Sequence, residues 1–363
     1  MERVPWDVPK TACGEFCGHL RGLAITLCRM RLHLLAVILL LGINPACVSP
    51  GGSAPGRLTP DELLRRADAA FDARRYSQAL ESYRLAAAAA QAEDAPDIFV
   101  EGAAQAAHVY LLKGQPEEGK VWLENAVAQS QDGDVRGRAR ILLTQAAYQH
   151  HAGETSEALE TCTKAHALSR ASGQHIRAVQ VAHMAAVMSG GEDQLRWCRR
   201  AIDDATRTDD ALLLGALWRQ LGWLLEERGL HDQALESFIQ CREVVSESGN
   251  SHEQMVADWQ VGHGLRLVGR ITEARIMMEE IVRRTRARYR TQRGTNQAEW
   301  LGQALRELGE LDLAQGNPER GMQHLRDARE YFVLAGAADL APELLAQLDR
   351  RLAQARTLQG SGR

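Results

Sequence analysis

Residues Leu217–Cys241, LWRQLGWLLEERGLHDQALESFIQC, place apolar residues at helical spacing on both sides of a glycine break. Trp218, Leu221, Leu225 and Phe238 fall where two short helices folded against each other need bulk between them. Gly222 and Ala234 leave room for the two backbones to approach, and Gly229 supplies a left-handed turn that ends the first helix. A single helical hairpin cannot bury its own apolar face, so a chain built on such a unit needs neighbours of the same kind.

The chain supplies them. The small-residue position of Ala234 recurs at Ala79, Gly119, Ala158, Ala274 and Gly321, with Gln194 in the same phase, at steps mostly close to 40 residues and 47 before the last. The first unit carries Ala67, Tyr76, Tyr83 and Ala86, and the second Ala107, Tyr110, Gly114 and Leu123. Gly173, Gly249 and Gly336 close the second helices of their units, while Gly316-Asn317-Pro318 offers a C′ glycine, an N-cap and a first-turn proline in succession. The unit from Ile176 to Ala205 is degenerate, with Gln194 where a small residue belongs.

The stretch Trp218-x2-Leu221-Gly222-x2-Leu225, followed by Gly229, Ala234 and Phe238, resembles the tetratricopeptide repeat (TPR), with Leu225 in place of the Tyr and Cys241 in place of the last Ala. The long step is similar to TPR arrays of bacterial signalling regulators and kinesin light chains. The resemblance covers about 63–335 and implies an all-α, α-α superhelical solenoid of about seven helix pairs. An amphipathic C-terminal capping helix is expected over Asp339 to Arg356. It also implies that the first helix of each pair, helix A, lines a partner-binding face. Carrying the family's phase across gives Glu101 and His108, then His183, then Arg219, Trp223 and Glu226. Trp259, His263 and Arg266 follow, then Arg306 and Glu310. Two Trp, two Arg and a His in adjacent units suit a groove for a peptide with an acidic or C-terminal carboxylate feature. Packing of Trp223 and Trp259 between repeats is the competing expectation.

The N-terminus follows another logic. Leu34 to Ile43 is a continuous apolar run behind Arg29 and Arg31, too short to span a bilayer comfortably but suited to a secretory signal. Cys47 ends INPAC four residues later, an arrangement that resembles the bacterial lipoprotein signal, in which the Cys is lipidated. Asn44 and Pro45 depart from that family's pattern. The expected organisation is an over-extended start or n-region at 1–29, a signal at 30–47 and a Pro/Gly/Ser tether at 48–60. The solenoid follows at 61–356 and a disordered tail at 357–363.

Net charge is −4, so nothing global attracts nucleic acid. No nucleophile elbow, P-loop, dinucleotide fingerprint or HExxH zinc site occurs, and no catalytic residue, metal site or cofactor is expected. Cys162, Cys198 and Cys241 stand at second-helix packing positions and read as small hydrophobes. Arg283, Arg284, Arg286, Arg288, Arg290 and Arg293 crowd the long step; they suit either an anion contact or the dipole and solvent at the end of an overlong helix. The chain therefore reads as a non-catalytic scaffold for a protein or peptide partner. It is expected to be exported and lipid-anchored on the periplasmic side of the envelope; the alternative is a cytoplasmic sensor or scaffold of a signalling or transcriptional regulator.

Overall fold

A computed structural model describes residues 58–131 and 133–361. The expected signal, Cys47 and most of the tether lie outside the described residues. Within them the chain is all-α, with sixteen helices and no strand. They are α1 Pro60–Asp72, α2 Tyr76–Ala92, α3 Pro96–Leu112, α4 Pro116–Gln129, α5 Val135–His151, α6 Thr155–Ala171, α7 His175–Met188 and α8 Gly191–Ala205. There follow α9 Ala211–Glu226, α10 His231–Ser246, α11 Ser251–Leu267, α12 Ile271–Thr291, α13 Thr295–Ala314, α14 Pro318–Leu334, α15 Ala337–Leu340 and α16 Pro342–Ser361. Contacts group the described chain into two compact units, one ending at Gly264 and the other beginning at Leu265, within α11.

Local sequence explains the boundaries. Helix α1 opens with a capping box in which Thr59 and Glu62 satisfy each other's backbone N–H. Pro60, Pro96, Pro116, Pro318 and Pro342 each occupy a first helical position, where a missing N–H costs nothing. Gly229, at φ +72°, makes the turn between α9 and α10. In the first repeat the same left-handed positions fall to Arg74 and Asp94, at φ 56° and 52°.

In the unit up to Gly264, α1 packs on α2, α3 on α4, α5 on α6, α7 on α8 and α9 on α10, and the A helices α1, α3, α5 and α7 also touch in sequence. In the unit from Leu265, α12 packs on α13, α13 on α14, and α14 on α16. Every marker position, from Ala79 through Gln194 to Gly321, lies in the first turn of a second helix, so the degenerate unit keeps its phase despite Gln194. The core between paired helices is Ala-rich, with Tyr83, Phe238, Leu305, Leu325 and Phe332 as fully buried bulk.

The C-terminal cap departs from the single helix expected over 339–356. Pro342 disfavours helical backbone at Ala341, which sits at φ −152° ψ 57°, so a short α15 precedes α16. The segment 357–361 continues α16 rather than forming a tail, and Gln359 donates to Glu319 of α14 at 2.8 Å.

Candidate functional site: the polar ladder of the A helices

The A helices carry charged side chains that pair with one another one or two repeats apart. Arg140 on α5 donates through Nε to Glu101 Oε1 on α3 at 2.7 Å, and Arg177 on α7 reaches the same oxygen at 2.7 Å through Nη2. Arg140 also reaches Gln180 at 3.4 Å, and Arg177 donates to the Arg136 carbonyl at 2.7 Å. Burial alone would raise the Glu101 carboxyl, but the two guanidiniums outweigh it and hold it below the usual carboxylate range. Beside this knot, buried Tyr83 donates to Asp68 at 2.6 Å; burial raises the Asp68 carboxyl in spite of that bond.

A second cluster joins α9 and α11. Arg219 donates to Glu253 at 2.9 Å, and His263 Nε2 lies 3.1 Å from both oxygens of Glu226. The His263 ring stacks on Trp259 at 5.3 Å and 13°. Trp223 stands 6.1 Å from Trp259, 5.4 Å from His263 and 5.0 Å from Phe238. In the unit from Leu265, Arg266 donates to Glu307 at 2.6 Å, and Arg351 on the cap forks onto Glu310 at 2.6 Å.

The structure thus brings Arg219, Trp223, Glu226, Trp259 and His263 together, as the repeat phase implies, but it does not leave them open. Trp223 and Trp259 are 4% and 5% exposed and His263 is 1% exposed. The competing expectation, packing between repeats, describes the two tryptophans. The reason is the breadth of the buried face on a long A helix. Leu217, Leu221, Trp223, Leu224 and Leu225 are all buried on α9, so a position one step from the groove is already inside. Buried His183 on α7 and half-buried His108 on α3 belong to earlier repeats; burial pushes each imidazole down to about 4.

Arg140, Arg177, Glu253 and Glu307 were not marked by the family phase, although the sequence contains a signal for them. Opposite charges sit 39, 34 and 41 residues apart in Arg140–Glu101, Arg219–Glu253 and Arg266–Glu307, the step of one repeat. Among the described residues no group of three or more His, Cys, Asp or Glu is placed to hold a metal ion. None of the helices there is long and apolar enough to cross a membrane.

No protein-family model and no curated protein matches the sequence. Among solved structures, the chain is similar to the Signal Transduction ATPase with Numerous Domains (STAND) protein with a tetratricopeptide repeat sensor from Pyrococcus horikoshii. The TM-score is 0.59 at 13% identity over 81% of this chain, which spans 44% of that protein's length. It also matches a tetratricopeptide repeat protein from Parabacteroides merdae, at TM-score 0.35 and 16% identity over 80% of this chain and 98% of that one. A kinesin light chain with nearly identical TPR-like repeats from Podosopora anserina matches at TM-score 0.40 and 15% identity, over 53% of this chain and 94% of that one. The P. horikoshii likeness and the paired helices make the fold TPR-like.

Proposed function

We propose that the chain is a non-catalytic scaffold that holds a protein or peptide partner on the A-helix faces of its repeats, lipid-anchored on the periplasmic side of a bacterial cell envelope. The ladder carries this reading. Charged groups on adjacent A helices are fixed by one another, yet several keep part of their surface in water. The side chains of Glu253, Arg266, Glu310 and Arg351 are 21, 22, 23 and 31% exposed. Such ordered, half-exposed heads on rigid helices are ready to exchange an internal ion pair for one with a ligand. The envelope location rests on the apolar run at 34–43 and Cys47.

Two experiments test the two halves separately. A photo-crosslinking residue at Glu253 or Glu310 should give a discrete adduct in living cells, and one at the exposed second-helix position Glu160 or Glu236 should not. Equal adducts from both faces would remove the A-face assignment. Metabolic labelling with a fatty-acid analogue should mark the wild type and not Cys47→Ser. A soluble, unlabelled wild type would turn the reading to a cytoplasmic regulator scaffold.

A further inference from the structure

The step of 47 residues before the last marker has a structural counterpart. Helix α12 is 21 residues long, whereas α2, α6 and α14, its longest counterparts, have 17. That adds about 6 Å of helix. The C-terminal turns hold five arginines and Arg293 follows just past the helix end, and the sequence from Ile281 to Ala298 contains no Asp or Glu. Ile281, Val282 and Thr285 are buried, and Tyr289 packs edge-on against Tyr331 of α14 at 5.6 Å, so the arginines are left facing outward.

Glu280 engages only the first two: Arg283 at 2.6 Å and Arg284 at 3.5 Å. Arg286, Arg288, Arg290 and Arg293 are exposed and have no ion pair among the described residues. A helix C-terminus favours cations by the macrodipole, but that effect is confined to the last turn and accounts for one or two of the four. Four unpaired guanidiniums in eight residues repel one another in the absence of an anion.

We infer that this arginine ridge at the end of α12 is a peripheral contact for anionic phospholipid headgroups. This rests on the membrane-side reading above. Guanidinium forks match phosphate oxygens, and several headgroups in one plane can meet several arginines at once. The ridge offers no exposed Trp, Phe, Leu or Ile between its arginines: Ala287, Thr291 and Gln292 are exposed there, and Tyr289 is half-buried. The contact is therefore electrostatic and salt-sensitive, without insertion into the acyl region. The same lack of exposed rings removes the stacking platform that single-stranded nucleic acid uses.

The test is sedimentation of the full chain with phosphatidylcholine vesicles, with and without phosphatidylglycerol. The N-terminal apolar run is common to every variant, so the difference between the two vesicle types isolates the charge effect. Wild type should favour the anionic vesicles, and the preference should fade in high salt. Replacing Arg286, Arg288, Arg290 and Arg293 together by Gln should cut that preference by up to about a thousandfold. Replacing the exposed Arg65, Arg66, Arg199 and Arg356 by Gln removes the same charge and should leave most of it. An unchanged helical circular dichroism spectrum shows that the ridge variant is folded. Equal loss in both variants, or no preference in the wild type, overturns the inference. So does retention on duplex DNA at physiological salt without vesicle binding. None of these results bears on the Cys47 labelling, so a failed ridge and a failed anchor are distinguishable.

Discussion

Phe238 occupies the space that a side chain at Gly222 would need: a Cβ there would lie 2.4 Å from Phe238 Cε1. The ring is fully buried and presses on Trp223 at 5.0 Å, so it has nowhere to retreat. Alanine at this position gains about 1 kcal/mol of helix propensity and meets about 1–3 kcal/mol of overpacking. Gly222→Ala should therefore unfold at a lower temperature than wild type, by a few degrees. A midpoint equal to or above wild type would show that α9 and α10 can part without loss.

Glu101 is the shared acceptor of Arg140 and Arg177, and the three side chains are 16, 9 and 12% exposed. Removing the carboxylate strands two buried guanidiniums, one of them already pushed down to about 10 by burial and by its neighbour Arg140. Glu101→Ala should cost about 3–5 kcal/mol in urea unfolding. Arg177→Met in the Glu101→Ala background should restore part of it, because one stranded charge is then gone. A double variant no more stable than the single one would sink the account of a charge-balanced knot.

Much of this was legible because a repeat writes its constraint several times over. Gln194 is a poor marker alone, yet Ala158 and Ala234 on either side fix its phase, and it lies in the first turn of α8 as they do in α6 and α10. The orientation of single side chains was less legible. Trp223 and Arg219 lie one turn apart on the same face of α9, and both are buried, at 4% and 7% exposure, although the family phase marks them for the groove. His166 and Asp204 show the same limit. They meet at 2.6 Å across α6 and α8, with Arg170 at 3.2 Å from the same carboxylate, yet neither position belongs to the repeat pattern. Pairings between repeats depend on how adjacent hairpins stack, which local periodicity does not encode.

His183 makes stability depend on pH in a definite direction. Burial lowers its imidazole from 6.5 to about 4, so the folded state resists a proton that the unfolded chain accepts. Its full contribution is present above pH 6.5 and is lost as the pH falls toward 4, to a total of about 3 kcal/mol. Half-buried His108, also near 4, acts in the same direction. Asp72 acts oppositely: burial raises it to about 6, so the folded state gains on it as the pH falls from 6 toward 4. Unfolding free energies of wild type and His183→Leu between pH 7 and 4 should diverge, with the shallower decline in the variant. Parallel curves would mean that the imidazole is protonated in the folded state.

Cys162, Cys198 and Cys241 should be chemically silent in the native protein. They are 0, 4 and 1% exposed, and burial pushes their thiols up to about 12, 12 and 11. Reaction with an alkylating reagent needs a thiolate, and at pH 8 both the ionised fraction and access to it are suppressed. Cys241 also directs its sulfur toward Gln260 Oε1 at 3.9 Å, a weak contact that keeps it facing α11. Because the chain has seven cysteines, bulk thiol titration would mix these three with Cys13, Cys17, Cys28 and Cys47. Peptide mapping by mass spectrometry after a short iodoacetamide pulse separates them. The three repeat cysteines should stay unlabelled under native conditions and take full label in denaturant. Native labelling of Cys241 at a rate near that of a free thiol would show that the α9, α10 and α11 packing opens on the timescale of the pulse.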